Sequence, residues 1–88
     1  MLDLDKYIND REEFRIFGKT LHVKEPTTAM YMEISRLESG MKPENFGEIR
    51  IKSAAIFLSH NEEGITITEE QLKGVPFAVI DMATKTIS

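Results

Sequence analysis

The fold is decided by residues 13–27, which read EFRIFGKTLHVKEPT. Apolar and polar residues alternate on both sides of Gly18, which is the pattern of a β-hairpin with a two-residue turn. We place Gly18 and Lys19 at the centre of this turn, because the first central position of a type II′ turn needs a positive φ and favours glycine. The register that follows pairs Phe17 with Thr20, Ile16 with Leu21, Arg15 with His22 and Phe14 with Val23. One face of the predicted hairpin then carries four apolar side chains, those of Phe14, Ile16, Leu21 and Val23.

The rest of the chain has the spacing of apolar and capping residues that is typical of helices. Leu4, Tyr7 and Ile8 are spaced for one or two helical turns near the N-terminus. After the hairpin, the pattern predicts a helix capped by Thr27 or Thr28 that ends at about Ser39, a helix from about Pro43 to Ser59 or His60, a helical turn that begins with the capping box Thr68 to Gln71, and a helix from about Pro76 to Thr86. We therefore predict a small α+β fold that is mainly α.

This fold is expected to be a single domain over residues 1–88. Its predicted parts are an N-terminal segment at 1–11, a β-hairpin at about 12–24, and a helical body of three to four helices at 27–87. A chain of 88 residues buries little surface, so its margin of stability is only a few kcal/mol by rough bookkeeping. A domain of this size often depends on a partner.

The composition excludes several classes of protein. The chain has no cysteine, so disulfides and thiolate metal sites are excluded. Residues 1–7 carry acids where a signal peptide carries bases, and no apolar run approaches the roughly 18 residues of a membrane span. The net charge is −4 and the bases are scattered, which argues against nucleic acid as a partner. We expect a cytoplasmic protein that binds another protein and neither a membrane nor nucleic acid.

No group of residues has the spacing of a catalytic, cofactor-binding or metal site. His22 and His60 have no second ligand at helical spacing, and residues 62–64, Glu-Glu-Gly, are typical of a turn. The five glycines are spread singly and form no phosphate-binding loop. We therefore expect a non-enzymatic protein without a cofactor or a metal.

The predicted helices carry more apolar residues than one buried face needs. On the helix that begins near Pro43, one apolar face consists of Phe46, Ile49 and Ile56. A second face, about 100° or more round the helix, consists of Ile51, Ala55 and Leu58, so this helix is either central or also exposed to a partner. Met32 is expected to point away from the core side of the preceding helix. We predict an exposed apolar groove that binds protein through Met32, Ile51, Ala55 and Leu58.

The order of these elements resembles the tail assembly chaperones of long-tailed bacteriophages and prophages. The likeness is carried by a hairpin that ends in Lys24-Glu25-Pro26-Thr27-Thr28 and opens a helix, and by Thr68-Glu69-Glu70-Gln71-Leu72, followed by Val75-Pro76-Phe77. The resemblance implies a non-enzymatic chaperone in the host cytoplasm, which acts as a homo-oligomer. Such a chaperone covers the aggregation-prone tape measure protein until the tail tube protein displaces it.

Two other functions stay open at the level of the sequence. One is a structural component of the virion, such as a tail completion protein, which would use similar apolar contacts permanently. The other is a small phage or bacterial regulatory module that places the helix after Gly40 against DNA. That helix offers only Arg50 and Lys52 as bases, which is few for a DNA-reading helix.

Overall fold

The computed structural model describes residues 1–87, without the side chain of Ile87. In chain order its elements are α1 (Leu4–Ile8), β1 (Arg11–Ile16), β2 (Lys19–Lys24), α2 (Thr28–Ser39), α3 (Phe46–Ser59), α4 (Glu69–Lys73) and α5 (Phe77–Ile87), with a 3₁₀ turn at Pro43–Asn45 before α3. The predicted small α+β fold with an N-terminal hairpin and a helical body is therefore confirmed.

The hairpin has the predicted apolar face but a different register. Its two central turn residues are Phe17 and Gly18, which have φ values of 52° and 72°, and Phe14 pairs with Leu21 instead of Val23. Two positive φ values define a type I′ turn, so the predicted type II′ turn at Gly18 and Lys19 is wrong. The observed register also places Glu13 opposite His22, whereas the predicted one opposed two bases, Arg15 and His22.

The apolar face survives this correction because both registers keep the same residues on the same side of the sheet. Leu21 and Val23 are buried, and Phe14 and Ile16 are half-buried against the same core. β2 also contacts the segment after α3 through a bridge between Val23 and Asn61. The hairpin is thus fixed to the helical body along β2, while β1 forms the outer strand.

The helix ends follow the predicted capping residues. The Thr27 hydroxyl accepts a hydrogen bond from the Met30 N–H at 3.1 Å and begins α2. At α4 the Thr68 hydroxyl accepts from the Gln71 N–H at 3.2 Å, and the Gln71 side chain accepts from the Thr68 N–H at 2.9 Å. This reciprocal pair is a capping box, which satisfies backbone donors that the first helical turn leaves unpaired.

α3 is the central element of the fold. It contacts α2, α4, α5 and β2, and its buried residues are Ile49, Ser53, Ala54, Phe57 and Leu58. The structure therefore places α3 at the centre of the fold, while Ala55 and Ile56 on it remain only half-buried. Five of the core side chains around it come from other parts of the chain, namely Leu21, Val23, Ile67, Leu72 and Ile80.

A polar connection closes the fold after α3. The Asn61 side chain is 6% exposed; it donates to the carbonyl oxygens of Leu58 and Ile65 at 2.8 and 2.7 Å and accepts from the Ile65 N–H at 3.0 Å. The Ser59 hydroxyl donates to the Ile67 carbonyl and accepts from the Ile67 N–H. These bonds hold residues 65–67 in an extended conformation along the end of α3, and Gly64, at φ 70°, makes the turn that precedes them.

The N-terminal helix α1 differs from the others because it buries no residue. Leu4, Tyr7 and Ile8 are all exposed on it. Within residues 1–87, no helix combines the length and the apolar character that a crossing of the bilayer requires.

Candidate functional site

An open groove runs between α2 and α3. It has a volume of about 430 Å³ and its apolar lining consists of Leu37, Ala55, Ile56 and Ile67. Glu33, Lys52 and Glu69 stand at its edges together with Ser59. An apolar floor with charged edges suits the apolar side of an amphipathic helix, which presents anchors at helical spacing.

The groove arises because α2 rests on α3 through few side chains. Ile34 is the only buried residue of α2, while Met30 and Leu37 are half-buried. Met30, Ile34 and Leu37 thus form the apolar stripe of α2, at helical spacing, and this stripe is narrow. Leu37, on one flank of this stripe, forms one wall of the groove.

The four residues predicted to bind protein do not lie on one surface. Leu58 is 2% exposed and belongs to the core, so its predicted place on an exposed groove is wrong. Ile51 and Ala55 are half-buried against the same core, and of the two only Ala55 lines the groove. Met32 is 58% exposed, as expected, but it does not line the groove. It lies about 100° round the helix from its neighbour Glu33, which does line the groove, and so faces the outer side of α2.

A second, more polar cavity of about 290 Å³ lies on the other flank of α2. Its lining includes Tyr31, Glu38, Arg50 and Ser53. The Ser53 hydroxyl and the Arg50 Nε are buried there and have no hydrogen-bond partner within the described part of the chain. Polar groups in this number make the second cavity a poorer match for an apolar segment than the α2–α3 groove.

Charged side chains from distant parts of the chain meet beside β2. The Glu63 carboxylate accepts hydrogen bonds from the His22 backbone N–H at 2.8 Å and the His22 Nδ1 at 2.6 Å. Glu13 lies 3.7 Å from the His22 Nε2, and the Arg11 guanidinium pairs with Glu62. We call His22, Glu62, Glu63 and Arg11 the charged clasp, because it ties the hairpin to the turn after α3.

The clasp changes the pKa of two of its members. The Glu63 carboxylate, which is hydrogen-bonded to the ring, raises the pKa of His22 above its ordinary value of 6.5. The backbone N–H of His22, and then its ring, lower the pKa of Glu63 below its ordinary value of 4.5. Both shifts favour the charged pair, so the imidazolium and the carboxylate stabilise each other.

The clasp is also the one place in residues 1–87 where three potential metal ligands converge. One ligand atom each of His22, Glu62 and Glu63 lies within 4.8 Å of the others. However, Glu62 is already paired with the Arg11 guanidinium, whose positive charge opposes a cation, and Glu63 is occupied by two hydrogen bonds from His22. The arrangement is best suited to hold two chain segments together.

One of the two bases of α3 is held in an ion pair with α5. Arg50 is paired with Asp81, and its guanidinium lies 5.6 Å from the centre of the Phe46 ring. The Lys85 ammonium and then the Arg50 guanidinium lower the pKa of Asp81. Lys52 stands at the edge of the α2–α3 groove near Glu48. Arg50 thus links α3 to α5, which leaves Lys52 as the only base of α3 that faces solvent in the described chain.

Comparison of the chain with protein-family models, with curated proteins and with solved structures gave no match.

Proposed function

We propose that this protein is a non-enzymatic tail assembly chaperone of a long-tailed phage or prophage, whose α2–α3 groove holds an apolar helical segment of the tape measure protein. The observation that carries this proposal is the open groove lined by Leu37, Ala55, Ile56 and Ile67. The sequence resemblance supplies the identity of the partner, and the groove supplies a surface on which such a partner fits.

The charge of the protein supports the same role. The body is acidic, with a net charge of −4, and Glu33 and Glu69 stand at the edge of the groove. An acidic chaperone around an apolar segment keeps the complex in solution, because copies that carry the same charge repel one another. Displacement by the tail tube protein then requires only that the tube binds the same segment more tightly.

A tail completion protein remains the second candidate. The feature that favours it is the number of exposed apolar side chains outside the groove, which include Leu4, Tyr7 and Phe17. A protein that stays in the virion would be present in purified particles, whereas a chaperone leaves before the tail is complete. A regulatory module that reads DNA is disfavoured, because Arg50 is paired with Asp81.

The test is binding of the tape measure protein of the same phage or prophage, measured with purified proteins. Ile56→Glu places a carboxylate in the groove at a half-buried position, and we expect it to weaken binding at least tenfold. Met32→Glu makes a comparable change on the exposed outer side of α2 and serves as the matched control, which we expect to bind as the unmodified protein does. Circular dichroism and thermal unfolding establish that both variants are folded.

The possible outcomes separate the groove from the surface predicted by sequence. Loss of binding only in Ile56→Glu supports the groove. Loss only in Met32→Glu moves the contact to the outer side of α2 and overturns the assignment to the groove. A folded, unmodified protein that does not bind the tape measure protein overturns the chaperone itself.

A further inference from the structure

The outer edge of β1 is a backbone surface without a partner in the described chain. In a hairpin closed by the pair Ile16 and Lys19, hydrogen-bonded pairs recur at every second residue, so the N–H and C=O groups of Arg11, Glu13 and Arg15 point away from β2. The same rule holds on β2, where the outward Lys24 N–H donates to the His60 carbonyl at 2.8 Å. One edge of the sheet is therefore covered and the other is open.

The open edge is continuous with an apolar groove. Phe14 and Arg15 of β1 form this groove with Val79, Met82, Ala83 and Thr86 of α5, and its volume is about 220 Å³. Val79 is 41% exposed and Met82 is 63% exposed. A strand added to β1 would thus form backbone hydrogen bonds and also cover apolar side chains, the two components of recognition by strand addition.

We propose that the occupant of this edge is a second copy of the same chain, added antiparallel so that the two β1 strands form the centre of a four-stranded sheet. The proposal does not depend on the function proposed above. Its basis is the sequence of β1, Arg-Glu-Glu-Phe-Arg-Ile, which is complementary to itself in one register.

In that register Phe14 lies opposite Phe14 of the second copy. Glu13 then lies opposite Arg15 of the second copy, and Arg15 opposite its Glu13. Glu13 and Arg15 of both copies have backbone groups that point outward, so the two Glu13–Arg15 pairs are hydrogen-bonded pairs. The two phenylalanines form the closer, non-hydrogen-bonded pair between them. If the two-fold axis between the strands passed through Glu13, the two Glu13 carboxylates would face each other. If it passed through Arg15, two guanidinium groups would face each other, so charge favours the alignment centred on Phe14.

This alignment also accounts for two exposed features at the ends of β1. It places Arg11 opposite Phe17 of the second copy, so α1 of one chain and the turn of the other lie at the same end of the sheet. Both are apolar and exposed in a single chain: α1 buries none of its residues, and the Phe17 ring is also exposed. In the pair, each apolar helix lies beside an apolar turn.

The test uses charge reversal. The unmodified protein is expected to sediment as a dimer of twice the 10.1 kDa chain mass. In a dimer of Glu13→Arg, four bases would meet at the centre of the interface, and in a dimer of Arg15→Glu, four acids would meet there. The dimer dissociation constant of each variant alone is therefore expected to rise at least about tenfold. Mixed in equal amounts, these two variants restore both Arg–Glu pairs and are expected to form a dimer that contains one copy of each.

Glu44→Arg and Arg36→Glu are the matched controls, because they make the same changes of charge at exposed positions outside β1. A single-chain mass for the unmodified protein at all concentrations overturns the proposal. So does a dimer that both β1 variants leave intact, or a mixture of the two variants that remains monomeric. Binding of an extended segment of another protein to β1 of a monomer would assign the edge to a different partner and equally overturns it.

Discussion

Replacement of Asn61 tests the polar connection that closes the fold. Asn61→Ala removes three hydrogen bonds of a side chain that is 6% exposed, two to carbonyl oxygens and one from a backbone N–H. At about 1 kcal/mol for each bond, the expected loss in the free energy of unfolding is about 3 kcal/mol. Domains of 88 residues have about 4–13 kcal/mol in total, and so small a core is expected near the lower end of that range, so this loss is a large fraction of the stability.

The assay is urea unfolding followed by circular dichroism, together with the thermal midpoint. A loss of about 3 kcal/mol corresponds to a fall of about 12–24 °C in the midpoint of a domain of this size. Asn9→Ala is the matched control, because Asn9 donates one hydrogen bond to the Asp5 carbonyl on the exposed helix α1. We expect this control to lose at most about 0.5 kcal/mol.

Asn61→Asp separates hydrogen bonding from side-chain size. It keeps the shape and the acceptor for the Ile65 N–H, but it places carboxylate oxygen against two carbonyl oxygens that now lie 2.7 and 2.8 Å from the amide nitrogen. We therefore expect Asn61→Asp to be less stable than Asn61→Ala at neutral pH and to recover as the pH falls and the carboxylate is protonated. Equal losses in Asn61→Ala and Asn9→Ala would refute the reasoning, because they would mean that the buried bonds contribute nothing beyond those of an exposed asparagine.

Four further changes test the core, the clasp and the local signals of the sequence. Leu58→Ala should lower the free energy of unfolding by about 3 kcal/mol, measured by urea unfolding, because this side chain is 2% exposed in the core. The pKa of His22 is raised in the folded state, so its stabilising effect is complete below the ordinary pKa of 6.5 and is lost as the pH rises through the higher pKa of the folded state. The thermal midpoint of the unmodified protein should therefore fall as the pH rises above 6.5, and that of His22→Gln should not show this fall. Phe17→Asn should raise the free energy of unfolding by about 1 kcal/mol, because Phe17 has a φ of 52° that asparagine adopts more easily. Thr68→Ala should lower it by about 1 kcal/mol through loss of the capping box, and an unchanged value would show that α4 is fixed by Leu72 alone.

The clasp should also weaken in acid, for a separate reason. The pKa of Glu63 is lowered, so its contribution is present above the ordinary value of 4.5 and is lost as the pH falls through the lower pKa of the folded state. The clasp is thus most stabilising between the ordinary pKa values of Glu63 and His22, from 4.5 to 6.5. Below that window the stabilising contribution of the Glu63 carboxylate is lost, and above it that of the His22 imidazolium is lost.

Local signals predicted the elements well because they act over three or four residues. Thr27 and the pair Thr68 and Gln71 cap the helices that their spacing indicated. The register of the hairpin was less determined, because Gly18 suits either the first central position of a type II′ turn or the second of a type I′ turn. Both turns leave the same apolar face, so the hydrophobic pattern could not distinguish them, and the charge pair of Glu13 with His22 was the available signal.

Contacts between residues that are far apart in the chain could not be predicted from the sequence. His22 and Glu63 are 41 residues apart, and nothing in their spacing indicates that the turn after α3 folds back onto β2. The two apolar faces of α3 were visible, but a sequence does not say which face another helix covers. The structure assigns Leu58 to the core and leaves Ile56 half-buried at the groove, which explains why only Ala55 of the four predicted contacts lines that groove.

The position of α2 connects the stability of the fold to its proposed binding surface. α3 contacts α4, α5 and β2 as well as α2, whereas α2 buries only Ile34 and has a groove of about 430 Å³ on one flank and a cavity of about 290 Å³ on the other. A helix with so few buried contacts can be displaced for a small loss of free energy, and segments that bind partners are commonly drawn from the least stable parts of a fold. The groove and the open edge of β1 share no residue, so a dimer joined through β1 would use none of the side chains that line the groove. The two proposals are therefore compatible with each other, because each assigns a different surface of the chain.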